Sequence, residues 1–134
     1  MPSEPTEPTR WGDPTEATWP VAELGEAIGL ALRRAFPDEV WVRGEIHNLQ
    51  RGRGGMAWFD LVEPDGGRSL ARGAKARLPV VLFDTARRRV NARIVDAGGG
   101  VRMDDGTEVR IRARTGFWAP GGRLQLQMTD IDPA

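Results

Sequence analysis

The spacing of apolar residues changes at Pro37, and this change divides the chain into a helical and a β-rich part. Between Val21 and Phe36 apolar side chains recur at every third or fourth position, which predicts an amphipathic helix. Pro20 and Pro37 flank this segment, as prolines commonly do at helix ends. From residue 39 onwards apolar and polar residues alternate, so the segment 39–47 is predicted to be a strand.

Five further segments complete the predicted fold. Strands are expected at 56–62, 77–84, 107–115 and 123–129, and a short helix is expected at 85–97. The predicted order is therefore helix, three strands, helix and two strands. This is the order of the OB-fold, a five-stranded Greek-key barrel that binds oligonucleotides on strands two and three and in two of its loops. The sequence thus predicts a mainly β domain with an N-terminal helix and a short helix between strands three and four.

The first 20 residues differ in composition from the rest of the chain. They contain five prolines, four acids and one base, so they are predicted to form a disordered acidic tail before one domain at 21–134. The formal net charge is zero, but the segment 39–134 carries 16 basic against 12 acidic side chains. All but one of these bases are arginine. Arginine suits phosphate recognition, but the same preference is equally typical of a GC-rich genome.

The residue types that are missing exclude several kinds of protein. There is no cysteine, so disulfides and thiolate metal sites are impossible. No apolar run approaches the roughly 18 residues of a membrane span, and 1–20 lacks the features of a signal peptide, so we expect a cytoplasmic protein. His47 is expected to be a surface residue, and Asp104 and Asp105 are expected to form a turn. No nucleophile–base arrangement is recognisable, so no catalytic residue, cofactor or metal is expected.

The stretch 40–61, VWVRGEIHNLQRGRGGMAWFDL, carries a recognisable motif. It resembles the first hairpin of the exodeoxyribonuclease VII large subunit, in which W-x-x-G-E-I-x-N is followed by glycine, aromatics and F-x-L. Segments 81–83, 106–111 and 117–126 resemble later strands of the same family, and the resemblance extends over 21–134. The matching positions of the first hairpin are Trp41, Gly44, Glu45, Ile46, Asn48, Gly55, Trp58, Phe59 and Leu61.

Three features depart from the family pattern. Met56 and Ala57 stand where the family usually has His-Trp, and the polar loop 63–76 is longer than usual. The chain ends at Ala134, whereas the family's catalytic region and the helices that bind its small subunit follow the fifth strand. The resemblance therefore implies a single-stranded DNA-binding module that positions substrate for a catalytic domain outside this chain. No catalytic residue is carried over.

Exposed aromatic and basic side chains are the residues expected to contact a nucleic acid strand. Trp58 lies on the outward side of the second predicted strand. Phe83 ends the third strand and points outward beside Trp58 if Val80 and Leu82 face the core; in the opposite register Phe83 is itself a core residue. The full set of predicted contact residues is Arg43, Arg51, Arg53, Trp58, Phe83, Arg110, Arg112, Trp118 and Arg123.

The arginines of this set fall into two groups. Arg43, Arg110 and Arg112 are predicted on outward faces of strands one and four, where they form either a phosphate-tracking stripe or an ordinary solvated face. The others lie in the 1–2 loop and the 4–5 hairpin, where OB-folds clamp their ligands; the alternative for Trp118 is that it caps the barrel end. Two further basic segments are the helical run 87–89, read as a solvated face, and a flexible arm formed by Arg68, Arg72 and Lys75.

The sequence leaves two other functions open. The neutral total charge slightly favours a module that docks other subunits and uses its aromatic side chains as protein contacts. An OB-fold that binds RNA is the third reading. For the leading hypothesis, the expected partners are single-stranded DNA, the small subunit of exodeoxyribonuclease VII and the catalytic domain of that enzyme.

Overall fold

The computed structural model describes residues 17–68, 70 and 73–134. The tail predicted to be disordered therefore lies almost wholly outside the described residues, as does Arg72 of the predicted basic arm. The main elements are α1 (Val21–Ala35), β1 (Val40–Arg51), β2 (Ala57–Val62), β3 (Arg77–Leu82), α2 (Asp84–Asp96), β4 (Glu108–Trp118) and β5 (Arg123–Ile131). Single turns of 3-10 helix follow β1 at Arg53–Gly55 and β4 at Ala119–Gly121.

The strands close into a barrel in the order β1-β2-β3-β5-β4. All neighbours are antiparallel except β3 and β5, which run parallel. The long strand β1 belongs to both sides of the barrel, because its first half pairs with β4 and its second half pairs with β2. The predicted fold class, a five-stranded OB-fold with helices before strand one and between strands three and four, is confirmed.

The core consists of the inward-facing residues of all five strands together with α2. The alternation predicted for β4 holds, since Val109, Ile111 and Ala113 are buried while the arginines between them are exposed. Val90 of α2 is fully buried in the same cluster, so α2 closes one end of the barrel. Burial of these apolar side chains provides the main favourable free energy of folding.

Gly44 is a buried position where the strands approach each other closely. A Cβ atom built on Gly44 would lie 2.6 Å from Leu61 Cγ, a distance that real Cβ atoms do not adopt. β1 is bulged further along, between His47 and Gln50. Asn48 takes a positive φ of 57° there, a conformation that asparagine tolerates better than most residues.

Four strand ends differ from the prediction, and β3 ends at Leu82, two residues earlier than predicted. β1 continues to Arg51, β4 continues to Trp118, and β5 continues to Ile131, because backbone pairing persists where the alternation of apolar residues fades. Residues 116–118 therefore belong to β4, and the connection to β5 is correspondingly short. Phe83 lies one residue beyond the end of β3, where its extended backbone leads directly into α2. None of the described helices is long and apolar enough to cross a membrane.

Candidate nucleic-acid interface

A groove of about 490 Å³ runs over the outer surface of the barrel, across β1, β2, β3 and β5. Both apolar and polar side chains form its walls. The lining residues are Asn48, Gln50, Met56, Trp58, Phe59, Asp60, Pro79, Val80, Val81, Arg123 and Gln125. Of the predicted contact residues, the groove includes Trp58 and Arg123.

Trp58 lies in the middle strand of the groove surface and faces outward, as predicted. Its register partners are Gln50 on β1 and Val81 on β3, while its chain neighbours Ala57 and Phe59 are buried. The Trp58 ring remains 40% exposed. A flat aromatic side chain between two strands of an OB-fold provides a surface on which a nucleic acid base can stack.

The position of the Trp58 ring is fixed by Gly52, which follows β1. A Cβ atom built on Gly52 would lie 2.6 Å from Cη2 and 2.7 Å from Cζ3 of the indole, so the ring packs directly on the glycine backbone. The glycine-rich segment 52–55 forms the turn after β1. It also supplies the flat support against which Trp58 rests.

The polar side of the groove is organised around Asp60. Its Oδ2 atom accepts a hydrogen bond of 2.8 Å from Arg77 and one of 3.3 Å from Asn48 Nδ2. Among the described residues, none donates to Asp60 Oδ1. Asp60, Asn48, Gln50 and Gln125 were not predicted as contact residues, although their outward positions in alternating strands gave a signal that could have identified them.

The β4–β5 hairpin adds an aromatic and a basic side chain beside the groove. Trp118 and Arg123 are register partners, so both project from the same face of the hairpin, and Arg123 lines the groove. Trp118 is 57% exposed and packs on Gly121, whose added Cβ would lie 2.7 Å from the ring. Because more than half of Trp118 is accessible, it does not act as a buried cap of the barrel end.

Phe83, like Trp118, is a predicted aromatic residue that does not line the groove. It is half-exposed, which agrees with an outward position, and Leu82 before it is buried in the core. Val81, two residues earlier, is the register partner of Trp58, but Phe83 itself is not among the residues that line the groove. A stacking role for Phe83 stays a prediction.

The arginine stripe predicted on β1 and β4 exists as a geometric arrangement. Arg43 is paired in register with Arg110, and Trp41 is paired with Arg112. The guanidinium carbon of Arg110 lies 4.3 Å from the centroid of the Trp41 ring, a cation–π contact. The stripe therefore forms one surface centred on Trp41, separate from the groove around Trp58.

The charges of this stripe are paired within the domain. Arg43 lies 3.4 Å from Glu108, Arg110 lies 2.8 Å from Asp132, and Arg112 lies 3.0 Å from Glu39. The backbone N–H of Ala134 and then the Arg110 guanidinium lower the pKa of Asp132 below its usual value. A phosphate would have to compete with these carboxylates. Whether the stripe contacts nucleic acid stays a prediction.

The other three predicted arginines have no charged partner among the residues that the structure describes. Within the described part of the chain, the side chains of Arg51, Arg53 and Arg123 make no ion pair or hydrogen bond. Arg51 is paired in register with Ala57, next to the Gln50–Trp58 pair, and Arg53 follows in the single helical turn of the same loop. These cations lie on the loop and hairpin that flank the groove, and they are available for phosphate groups.

The remaining basic segments have contacts within the fold. Lys75 pairs with Asp65 inside the 63–76 loop, which lowers the pKa of Asp65. In α2, Arg87 donates to the carbonyl oxygen of Gly55 at 2.9 Å, and Arg93 lies 3.1 Å from Asp130 of β5. Thus Arg87 holds the loop after β1 rather than only facing solvent. Within the described residues, no group of three or more possible metal ligands occurs.

Comparison with known families agrees with this architecture. The family model described as an OB-fold nucleic acid binding domain matches residues 19–132. The chain is 32% identical over 107 residues to the protein named "Exodeoxyribonuclease 7 large subunit" of Bordetella pertussis, which covers 80% of this chain and 19% of the relative. The relative of the same name from Streptomyces griseus is 32% identical over 119 residues, covering 88% of this chain and 25% of the relative. These similarities confirm the resemblance inferred from 40–61.

The chain spans only about a fifth to a quarter of the length of these two relatives. Among solved structures, a small single-stranded DNA binding protein from Mycoplasma pneumoniae superposes with a TM-score of 0.48 at 8% identity, over 71% of this chain and 91% of that chain. That degree of structural likeness carries no functional conclusion.

Proposed function

The chain belongs to the family of OB-fold nucleic acid binding domains, and we propose that it binds single-stranded DNA in the groove around Trp58. The observation that carries this proposal is the exposed Trp58 ring, fixed on Gly52 at the centre of the surface that OB-folds use for oligonucleotides. A base in a single strand can stack on this ring, whereas the faces of bases in a duplex are already stacked.

The cations around the groove support the same proposal. Arg123 on one side and Arg51 and Arg53 on the other have no described carboxylate partner, so they can bind phosphate without breaking an ion pair. Stacking on aromatic side chains together with backbone contacts to cations gives binding with little sequence preference and a strong dependence on salt. Trp58 and Arg123 line the groove, and Arg51 and Arg53 lie at the end of β1 and in the turn that follows it.

We further propose that the domain positions DNA for a nuclease region that lies outside these residues. Its relatives are named as the large subunit of an exodeoxyribonuclease, and the chain matches only a fifth to a quarter of them. In this proposal the domain itself catalyses no reaction, and cleavage requires the remaining part of such a protein and its small subunit. The expected setting is the cytoplasm.

The test is a fluorescence-anisotropy titration with a labelled single-stranded dT oligomer of about 12 nucleotides, a length suited to one OB-fold. A duplex of the same length and the RNA equivalent serve as comparisons, each at low and high salt. We expect the single-stranded DNA to bind most tightly and to weaken as salt increases. Tighter binding of the RNA would favour an RNA-binding domain, and no binding of any strand would overturn the proposal.

A further inference from the structure

Asp60 is an unusual residue for a groove that accepts a polyanion. It lines the groove two residues from Trp58 on β2, and both side chains project outward. Residues separated by two positions on one face of a strand lie about 7 Å apart. The carboxylate therefore stands beside the edge of any base stacked on the Trp58 ring.

The carboxylate has one oxygen engaged and one available. Arg77 at 2.8 Å and Asn48 at 3.3 Å both donate to Oδ2, and these contacts hold the side chain in a fixed orientation. No described donor reaches Oδ1. The side chain of Asp60 keeps 27% of its surface accessible, so Oδ1 can accept a hydrogen bond from a ligand. A carboxylate only accepts hydrogen bonds, and the ligand must therefore supply the donor.

The charges on the two sides of the groove determine how a single strand of DNA would be oriented in it. Arg123 lines the groove from β5 and Asp60 lines it from β2, with β3 between them. The register places Asp60 level with Gln125 on β5, and Arg123 lies two residues further along, so the two side chains are roughly 12 Å apart. Phosphate is attracted towards Arg123 and repelled by Asp60. The base, and not the backbone, is therefore directed towards the carboxylate.

Resting on the proposed binding of single-stranded DNA, we propose that Asp60 selects the base stacked on Trp58 and favours cytosine over thymine. Cytosine carries its N4 amino donor where thymine carries the O4 acceptor, and carboxylates accept hydrogen bonds from cytosine N4. Thymine places an acceptor oxygen against the negative charge. Both bases are single-ring pyrimidines, and thymine differs further by its C5 methyl group and its N3–H donor, so the Asp60 variants are needed to attribute the difference to the carboxylate.

The test compares labelled dC and dT oligomers of equal length in anisotropy titrations at one salt concentration, near neutral pH. We expect dC to bind roughly three- to tenfold more tightly, the size expected for one charge-assisted hydrogen bond in a wet site. In Asp60→Asn the ratio of the two affinities should fall to about one, because the amide both donates and accepts.

A matched variant separates base selection from a purely structural role of Asp60. Arg77→Met removes the same ion pair but leaves the carboxylate in place, still oriented by the hydrogen bond from Asn48 to Oδ2, so it should retain the preference for dC even if total affinity changes. If Arg77→Met abolishes the preference as Asp60→Asn does, the role of Asp60 is structural and the inference is overturned. Equal binding of dC and dT by the unmodified protein overturns the inference alone. No binding of either oligomer overturns the proposed function as well.

Discussion

The ring of Trp58 packs on the backbone of Gly52, across the first hairpin of the barrel, so closely that a Cβ atom at Gly52 would lie 2.6 Å from Cη2 of the indole. The exposed aromatic side chain is thereby held in one orientation before any ligand arrives. A side chain whose position is already fixed loses less conformational entropy when it binds. The glycine is thus part of the binding surface although it offers no side chain.

Gly52→Ala should disturb this arrangement without straining the backbone, because Gly52 has an extended conformation that alanine can adopt. The new methyl group displaces the Trp58 ring, and we expect single-stranded DNA affinity to fall by up to about tenfold, part of the 1–3 kcal/mol that one stacked base contributes. Anisotropy measures the affinity. Gly100→Ala is the control, since nothing lies within 4 Å of its Cβ position. Equal affinities of the two variants would contradict the role assigned to Gly52.

Trp58→Ala and Trp41→Ala form a matched pair, since both rings are 40% exposed on neighbouring faces of the barrel. Trp58→Ala should weaken binding of single-stranded DNA by roughly 5- to 100-fold. Trp41→Ala should leave the affinity within about twofold, since Trp41 stacks with Arg110 outside the groove. The pair is measured in parallel by anisotropy. If Trp41→Ala loses more affinity than Trp58→Ala, the DNA binds to the arginine stripe and not to the groove.

The unpaired arginines should dominate the salt dependence of binding. Replacing Arg51, Arg53 and Arg123 with glutamine should reduce the slope of log affinity against log salt by about two, at roughly 0.7 per phosphate contact on a single strand. The same change at Arg43, Arg110 and Arg112 removes equal charge but should alter the slope far less, because each of these cations has a carboxylate partner. Equal changes in slope would show that the ion pairs of the stripe open to bind DNA.

Gly44→Ala should destabilise the barrel itself. The added methyl group meets Leu61 Cγ at 2.6 Å and the Val62 carbonyl oxygen at 3.1 Å, and overpacking of this kind costs about 1–3 kcal/mol of unfolding free energy. Urea denaturation measures the loss. Leu61→Ala combined with Gly44→Ala should be less destabilised than the sum of the single changes, since the second change removes the clash. If the losses of unfolding free energy are strictly additive, β1 and β2 move apart in Gly44→Ala and the methyl group does not clash with Leu61.

The ion pair of Asp132 with Arg110 should make stability depend on pH. The folded protein lowers the pKa of Asp132, first through the Ala134 backbone N–H and then through Arg110. A lowered carboxyl pKa stabilises the fold above the unfolded value, and this contribution is lost as the pH falls through the folded value. Asp132→Asn should therefore have a lower Tm than the unmodified protein near neutral pH, with the difference shrinking below about pH 4. A difference in Tm that is constant with pH would contradict this assignment.

The sequence was sufficient for the fold and for the facing of Trp58, because both follow from local patterns. The change of apolar period at Pro37 and the alternation in β4 are properties of neighbouring residues. Strand ends were less predictable, since Gly116 to Trp118 remain paired to β5 without an apolar alternation. The predicted third strand, 77–84, includes Phe83, whereas β3 ends at Leu82 and α2 begins at Asp84.

The chemistry of the arginine stripe could not be predicted, because it depends on residues distant in sequence. Glu39 pairs with Arg112 across β1 and β4, and Asp132 reaches Arg110 from beyond the end of β5. Alternation identifies which side chains face outward, but it does not identify their partners. The contact of Gly52 with Trp58 likewise depends on the path of a loop, which the sequence indicates only as a turn.

The indole N–H signals of the protein, followed by NMR during a titration with single-stranded DNA, test the binding surface most directly. The chain has five tryptophans, and single Trp→Phe variants assign their signals. We predict that the signals of Trp58 and Trp118 shift progressively as DNA is added, while the signal of Trp41 stays in place. A shift confined to Trp41, with Trp58 unaffected at saturating DNA, would contradict the proposal that the groove around Trp58 holds the strand.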